Sequence, residues 1–79
     1  MELKVKRSVL ALLGQLPLST ANCLSRAFHE IEDETLRLIA DPVTPGLSTT
    51  AVCNHVIVVS IQMNNPDKGA VTDIIYYTP

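Results

Sequence analysis

The stretch Ala51–Tyr77, AVCNHVIVVSIQMNNPDKGAVTDIIYY, decides the fold. Its hydrophobic period is two. Cys53, His55, Ile57, Val59, Ile61 and Met63 project to one side; Val52, Asn54, Val56, Val58, Ser60 and Gln62 project to the other. Such alternation marks a strand. The run Asn64-Asn65-Pro66-Asp67-Lys68-Gly69 is turn chemistry, because proline presets φ and Asn and Asp bond their own backbone. Ala70–Tyr77, rich in Ile, Val and Tyr, reads as the return strand. A β-hairpin of Ala51–Met63 with Ala70–Tyr77 is therefore expected. An isolated hairpin is not stable in water, so it must pack on helices, gain a third strand or pair with a second copy. Val56–Val59 is apolar on both sides, which implies burial of both faces and favours self-association.

Upstream, Asp41–Thr50 (DPVTPGLSTT) holds two prolines and a glycine and reads as a linker. Before it, Leu24, Phe28, Ile31, Thr35 and Leu38 recur at helical spacing, with Ala27 and Ile39 widening the stripe. No Gly or Pro lies between Leu18 and Asp41. One amphipathic helix is expected from Thr20 to Ala40, capped by Ser19-Thr20 and stopped by Pro42. Its opposite face carries Arg26, Glu30, Asp33, Glu34, Arg37 and Asp41, with Arg26–Glu30 and Asp33–Arg37 at i, i+4. Val9, Leu12, Leu13 and Leu16 mark a shorter helix, Ser8–Gln15, ended by Pro17. In Glu2–Arg7, Leu3 and Val5 alternate with Lys4 and Lys6, so Leu3–Lys6 can supply a third strand. The expected core is Val9, Leu12, Leu13, Leu24, Phe28, Ile31, Leu38, Ile57, Val59 and Ile61.

With 79 residues the chain is one small α+β domain. Hydrophobic residues make up 47%, enough for a core, whereas the charged fraction of 18% leaves part of the surface apolar. A net charge of −2 at pH 7 disfavours phosphate and hence nucleic acid. A membrane span needs about 20 apolar residues, far more than the longest run, Val56–Val59. Ser8–Leu18 after Lys4, Lys6 and Arg7 imitates the opening of a signal peptide, but no small-x-small cleavage site follows. A cytoplasmic protein is expected, in a cell or in a virus's host.

Catalytic chemistry has little to stand on. Cys23 with His29 and Cys53 with His55 give four soft ligands, yet not at zinc-site spacing. On a helix, Cys23 and His29 stand about 240° apart. The two cysteines have no regular spacing and read as small buried hydrophobes, bonded to each other only if the fold brings them together. Cys53 lies among aliphatics, not in the electropositive setting that activates a thiol. The serines sit in no nucleophile elbow, and Gly14, Gly46 and Gly69 are too scattered for a phosphate loop. No enzyme, metal or cofactor is expected.

Ser8–Phe28 (SVLALLGQLPLSTANCLSRAF) resembles the first two helices of winged helix-turn-helix domains. There, a helix ending near Gln15 meets a Pro-Leu-Ser-Thr turn and then an Ala-x-x-Leu-x-x-Ala-Phe helix. The ending Ile-Ile-Tyr-Tyr-Thr-Pro is similar to the wing strands that close several bacterial regulators. The resemblance implies a recognition helix at Glu32–Ala40, a wing at Ser60–Tyr77, and DNA binding. The chain departs from that pattern where bases would be read. His29-Glu30-Ile31-Glu32-Asp33-Glu34 is acidic where DNA readers present Arg, Lys, Asn or Ser, and Lys68 at the wing tip is offset by Asp67.

The residues thus predict two N-terminal helices packed on a C-terminal β-hairpin, winged-helix-like or as a dimeric helix-on-sheet arrangement. The expected function is non-catalytic: a small acidic regulator or inhibitor that binds another protein, of the kind encoded by a phage or mobile element, and that forms a homodimer. The alternative is a winged-helix DNA-binding transcriptional regulator. The candidate contact residues are Glu30, Asp33, Glu34 and Arg37, suited to a basic partner, and Ile75, Tyr76 and Tyr77, where tyrosine serves as an interface anchor.

Overall fold

Ile57, Val59 and Ile61 are buried, while Val58 and Ser60 between them are only half-buried. The period-two pattern thus becomes a strand with one face on the core. A computed structural model describes residues 1–76. Its elements are β1 (Glu2–Val5), α1 (Arg7–Leu13), α2 (Leu18–Glu32), β2 (Ile39–Ala40), β3 (Leu47–Val52), β4 (Ile57–Asn65) and β5 (Lys68–Tyr76). The class is α+β, with two helices and one five-stranded mixed sheet ordered β1-β5-β4-β3-β2. β1 runs parallel to β5; every other neighbouring pair is antiparallel.

Cross-strand partners share a face, so the register sorts the sheet into two surfaces. Towards the helices lie the rows Val52–Ile57–Tyr76, Thr50–Val59–Ile74 and Ser48–Ile61–Val71–Val5. Leu24, Ala27, Phe28 and Ile31 of α2 and Val9 of α1 complete that core. Gly69 sits in β5 where side chains of β4 fill the space a Cβ would take. A Cβ there would stand 2.9 Å from Ile61 Cγ2 and 3.0 Å from Met63 Sδ. On the other face lie Ala51–Val58–Ile75, Thr49–Ser60–Asp73 and Leu47–Gln62–Ala70–Lys4.

The expected strand Ala51–Met63 is two strands. β3 ends at Val52, a turn occupies residues 53–56, and β4 begins at Ile57. The turn escapes a sequence reading because it contains neither glycine nor proline. Cys53, Asn54 and His55 all take left-handed backbone, with φ of 55°, 60° and 65°. Each such residue costs roughly 1–2 kcal/mol when it is not glycine, and Asn least. Reversing the chain puts Val52 opposite Ile57 on the helix side, whereas simple alternation puts them on opposite sides. It also turns the end of the expected linker Asp41–Thr50 into strand, since β3 starts at Leu47. The rest of that segment is a turn. Asp41 accepts the backbone N–H of Val43 at 2.7 Å and of Thr44 at 3.0 Å, and these bonds hold its carboxyl below the usual range. Gly46, at φ 81°, closes it, its carbonyl accepting the Met63 N–H at 2.6 Å.

The turn before β5, by contrast, follows its residues. Pro66 and Asp67 make the reversal, and Asn65 Oδ1 accepts the Asp67 N–H at 2.9 Å. The return strand begins at Lys68, two residues before the expected Ala70. Thr72 is an extra residue between Val71 and Asp73 against Ser60-Ile61. Such a bulge steps the register by one and returns Ile74 to the core side.

The helices are shorter than expected. α1 spans Arg7–Leu13, and α2 ends at Glu32, eight residues before Ala40. The start of α2 is Pro17 rather than Ser19-Thr20. Its φ is −53°, and its carbonyl accepts the Ala21 N–H at 2.9 Å. The end of α2 is a Schellman motif. Glu34 takes φ 59°, its N–H donates to the Ile31 carbonyl at 3.1 Å, and the Thr35 N–H donates to the Glu30 carbonyl at 2.9 Å. Glycine is the usual residue at Glu34's position, so the stop carried no sequence signal. The Met1 ammonium adds a donor, reaching the Glu32 carbonyl at 3.0 Å and placing positive charge at the negative end of the helix. Among expected core residues, Leu12 is exposed and Leu13 and Leu38 are half-buried, while Ala27, Val52 and Val71 join the core.

Candidate functional site

Three surfaces collect the residues with chemical potential. The first surrounds the C-terminus of α2. Glu30 and Glu32 are half-buried, and Asp33 and Glu34 are exposed. The acidic residues are gathered, but around the Schellman turn and not along one helix face. Arg37, expected on that face, lies exposed in the connection between α2 and β2. The stretch Glu32–Ala40, which the winged-helix resemblance assigns to a recognition helix, contains the end of α2, this connection and the two-residue β2. Neither expected i, i+4 ion pair forms. Among the described residues the ion pair within reach is His29 Nδ1 to Glu32 Oε1, 3.8 Å, and only when His29 is protonated. The negative end of the helix dipole adds to these carboxylates, and the Met1 ammonium at the Glu32 carbonyl offsets part of both.

The second surface is one end of the sheet, on the face without helices. Ala51, Val58 and Ile75 stand in a row across β3, β4 and β5. Ile75 is 42% exposed and Ile39, beside Thr49, is 65% exposed. Tyr76, at 53%, projects from the same end towards the helix side. Ile75 and Tyr76, expected as contact residues, are exposed; Tyr77 lies outside the described residues. Among the described residues, both edges of this end are open. β1 pairs with β5 only as far as Val71, and β2 pairs with β3 only at Ser48 and Thr49. The open edge of β5 is partly blunted, because the Ile74 N–H donates to Asp73 Oδ1 at 2.9 Å.

The third surface was not anticipated. Cys23 and Cys53 form a disulfide, with Cα atoms 6.0 Å apart. Reading both as inert buried thiols is therefore corrected. The left-handed turn at residues 53–55 brings the end of the β3–β4 hairpin back over α2, and no spacing rule in the sequence could foresee that. With both sulfurs bonded, neither is a free nucleophile or metal ligand. A cleft of 340 Å³ beside the bond is lined by Cys23, Arg26, Glu30, Leu36, Asn54 and His55. A smaller one of 190 Å³ touches Ser19, Thr20, Cys23, Cys53, Asn54 and Tyr76. His55 is thus close to Cys53 and Arg26, but His29 is not among the residues lining either cleft.

Among the described residues no three His, Cys, Asp or Glu side chains gather to hold a metal ion. No helix among them is long and apolar enough to cross a membrane. Comparison with known protein families, curated proteins and solved structures finds no match for this chain.

Proposed function

We propose that this chain is a non-catalytic protein-binding module, a small acidic regulator that pairs with a second copy of itself and offers its acidic corner to a basic partner protein. The observation that carries the reading is the uncovered end of the sheet. There Ala51, Val58 and Ile75 form an uncharged row, flanked by two open strand edges. A row of this kind is self-complementary under a two-fold axis, which suits an isologous dimer. Ile75 and Tyr76 supply exposed apolar area of the sort that anchors interfaces. At the far end of α2, the carboxylates of Glu30, Asp33 and Glu34 suit a lysine- or arginine-rich surface.

Sedimentation of the intact protein tests the first half. A dimer is expected, and Ile75→Lys should give a monomer with unchanged helicity, since Ile75 lies outside the core. A monomeric parent at high concentration removes the dimer. Binding to a lysine-rich peptide tests the second half. Binding should weaken as salt rises and disappear in an Asp33→Lys/Glu34→Lys variant. Retention on DNA in place of the peptide would instead support the transcriptional-regulator reading.

A further inference from the structure

We infer that the Cys23–Cys53 bond is a thiol–disulfide exchange site, opened by a small-molecule thiol and controlling the turn at residues 53–56. The inference is independent of the protein-binding reading.

Three observations converge. Both cysteines are half-buried rather than sealed in the core. Clefts of 340 and 190 Å³ adjoin the bond, both lined by Cys23, Cys53 and Asn54, so a reagent can approach by two routes. The turn that carries Cys53 is held at its ends, by the Val52–Ile57 pair and by Val56 packed on the core, but weakly at its tip. Cys53, Asn54 and His55 are all left-handed without being glycine. Within the turn the Val56 N–H reaches the Cys53 carbonyl at 3.4 Å, a long bond, and Asn54 and His55 are exposed. Non-glycine residues persist in such conformations only where their surroundings over-determine them, and such residues cluster at switch regions. The cross-link to α2 is the constraint that reaches the tip of the turn.

The chemistry follows from the lining of the larger cleft. A thiolate attacks the Cys53 sulfur, forming a mixed disulfide, and the Cys23 sulfur leaves with the bonding pair as a thiolate. A second thiolate then attacks the sulfur of the bound thiol. It releases the small-molecule disulfide and leaves Cys53 as a thiolate, and both protein thiolates take up protons from water. Two thiols are oxidised to one disulfide and the protein disulfide is reduced to two thiols. Arg26, one helical turn beyond Cys23, lines the same cleft and brings a positive charge to the side of the bond where the Cys23 thiolate develops, with Glu30 on the same cleft as the opposing charge. A nearby cation lowers a thiol's pKa and speeds its departure. Arg26 therefore acts as a positioning residue for exchange. Once the bond opens, the turn is free to leave its left-handed conformation while β3, β4 and β5 keep their pairing.

The test uses the intact native protein and reduced glutathione without denaturant, quenched with N-ethylmaleimide and read by intact mass. Both cysteines should become alkylated at a rate proportional to glutathione concentration, with far-ultraviolet circular dichroism unchanged. Amide hydrogen exchange should accelerate at Asn54–Val56 and not in β4. Arg26→Gln should slow opening by about threefold, and Arg26→Lys should restore it, if the charge stabilises the leaving thiolate. Alkylation that requires denaturant, or a rate independent of glutathione, would make the bond a purely structural staple and overturn the inference. Unchanged exchange at the turn after reduction would overturn its control of the turn. Equal rates in the Gln and Lys variants and the parent would remove Arg26 from the mechanism.

Discussion

The two turns of the β3-β4-β5 meander do the same job by different means. The turn at Pro66-Asp67 is specified by its own residues: a proline with preset φ and an Asn65 side chain that binds the Asp67 N–H. The turn at residues 53–56 has three left-handed residues, none of them glycine, and is tied to a helix by a disulfide. One is local and legible, the other is imposed from a distance. Local turns survive the loss of tertiary structure, whereas imposed turns depend on the element that holds them.

Breaking the cross-link should have the largest effect. The joined cysteines are 30 residues apart. Loop-closure entropy for a loop of that size is worth about 3–4 kcal/mol. Cys23→Ser/Cys53→Ser should lower the stability measured by urea unfolding by that order. A loss as small as that of an ordinary surface substitution would mean the turn holds itself.

The comparison sharpens in the opposite direction with His55→Gly. Glycine accepts left-handed backbone without penalty, so stability should rise by about 1 kcal/mol, read as a higher urea midpoint. Glu34→Gly is the same experiment at the end of α2, with a similar expected gain. A loss of stability in both would show that these side chains, not their backbone angles, matter.

At the legible turn, Asn65→Ala removes one exposed side-chain acceptor and should cost about 0.5–1 kcal/mol. It should leave the reducibility of the disulfide unchanged. The smallest effect is expected at the third local turn. The Asp41 carboxyl is held below its usual range by the N–H groups of Val43 and Thr44. That contribution is complete above the unfolded carboxyl's pKa, ordinarily near 3.8, and is lost as pH falls through the lowered folded value. Titrating Asp41 by NMR should show its chemical shift and the amide shifts of Val43 and Thr44 changing together below the ordinary carboxylate range.

What the sequence disclosed follows the same division. The alternation in β4, the Asn65-Pro66-Asp67 reversal and the apolar stripe of α2 were readable, because each is written in consecutive or periodic residues. The stop of α2 was not, because Glu34 stands where glycine usually announces a Schellman turn. The β3–β4 reversal was hidden for the same reason, and the disulfide with it. Leu3–Lys6 was legible as strand, but its parallel alignment beside Lys68–Val71 depends on partners far along the chain. At the candidate site, Ile75 and Tyr76 were readable as part of a strand from its Ile, Val and Tyr content, but the bulge at Thr72 that decides which face each takes was not. The acidic residues gathered as expected in composition but around a helix end, and Arg37 went elsewhere once the helix stopped.

The parallel pairing of β1 with β5 has a consequence for how the chain is born. The first strand is made well before β5, with which Glu2 pairs at Lys68 and Val5 at Val71. Until then β1 has an unsatisfied edge, and the sheet cannot close around it. Such non-local pairing slows folding, so the sheet should close only once β5 has been made and β1 can dock beside it.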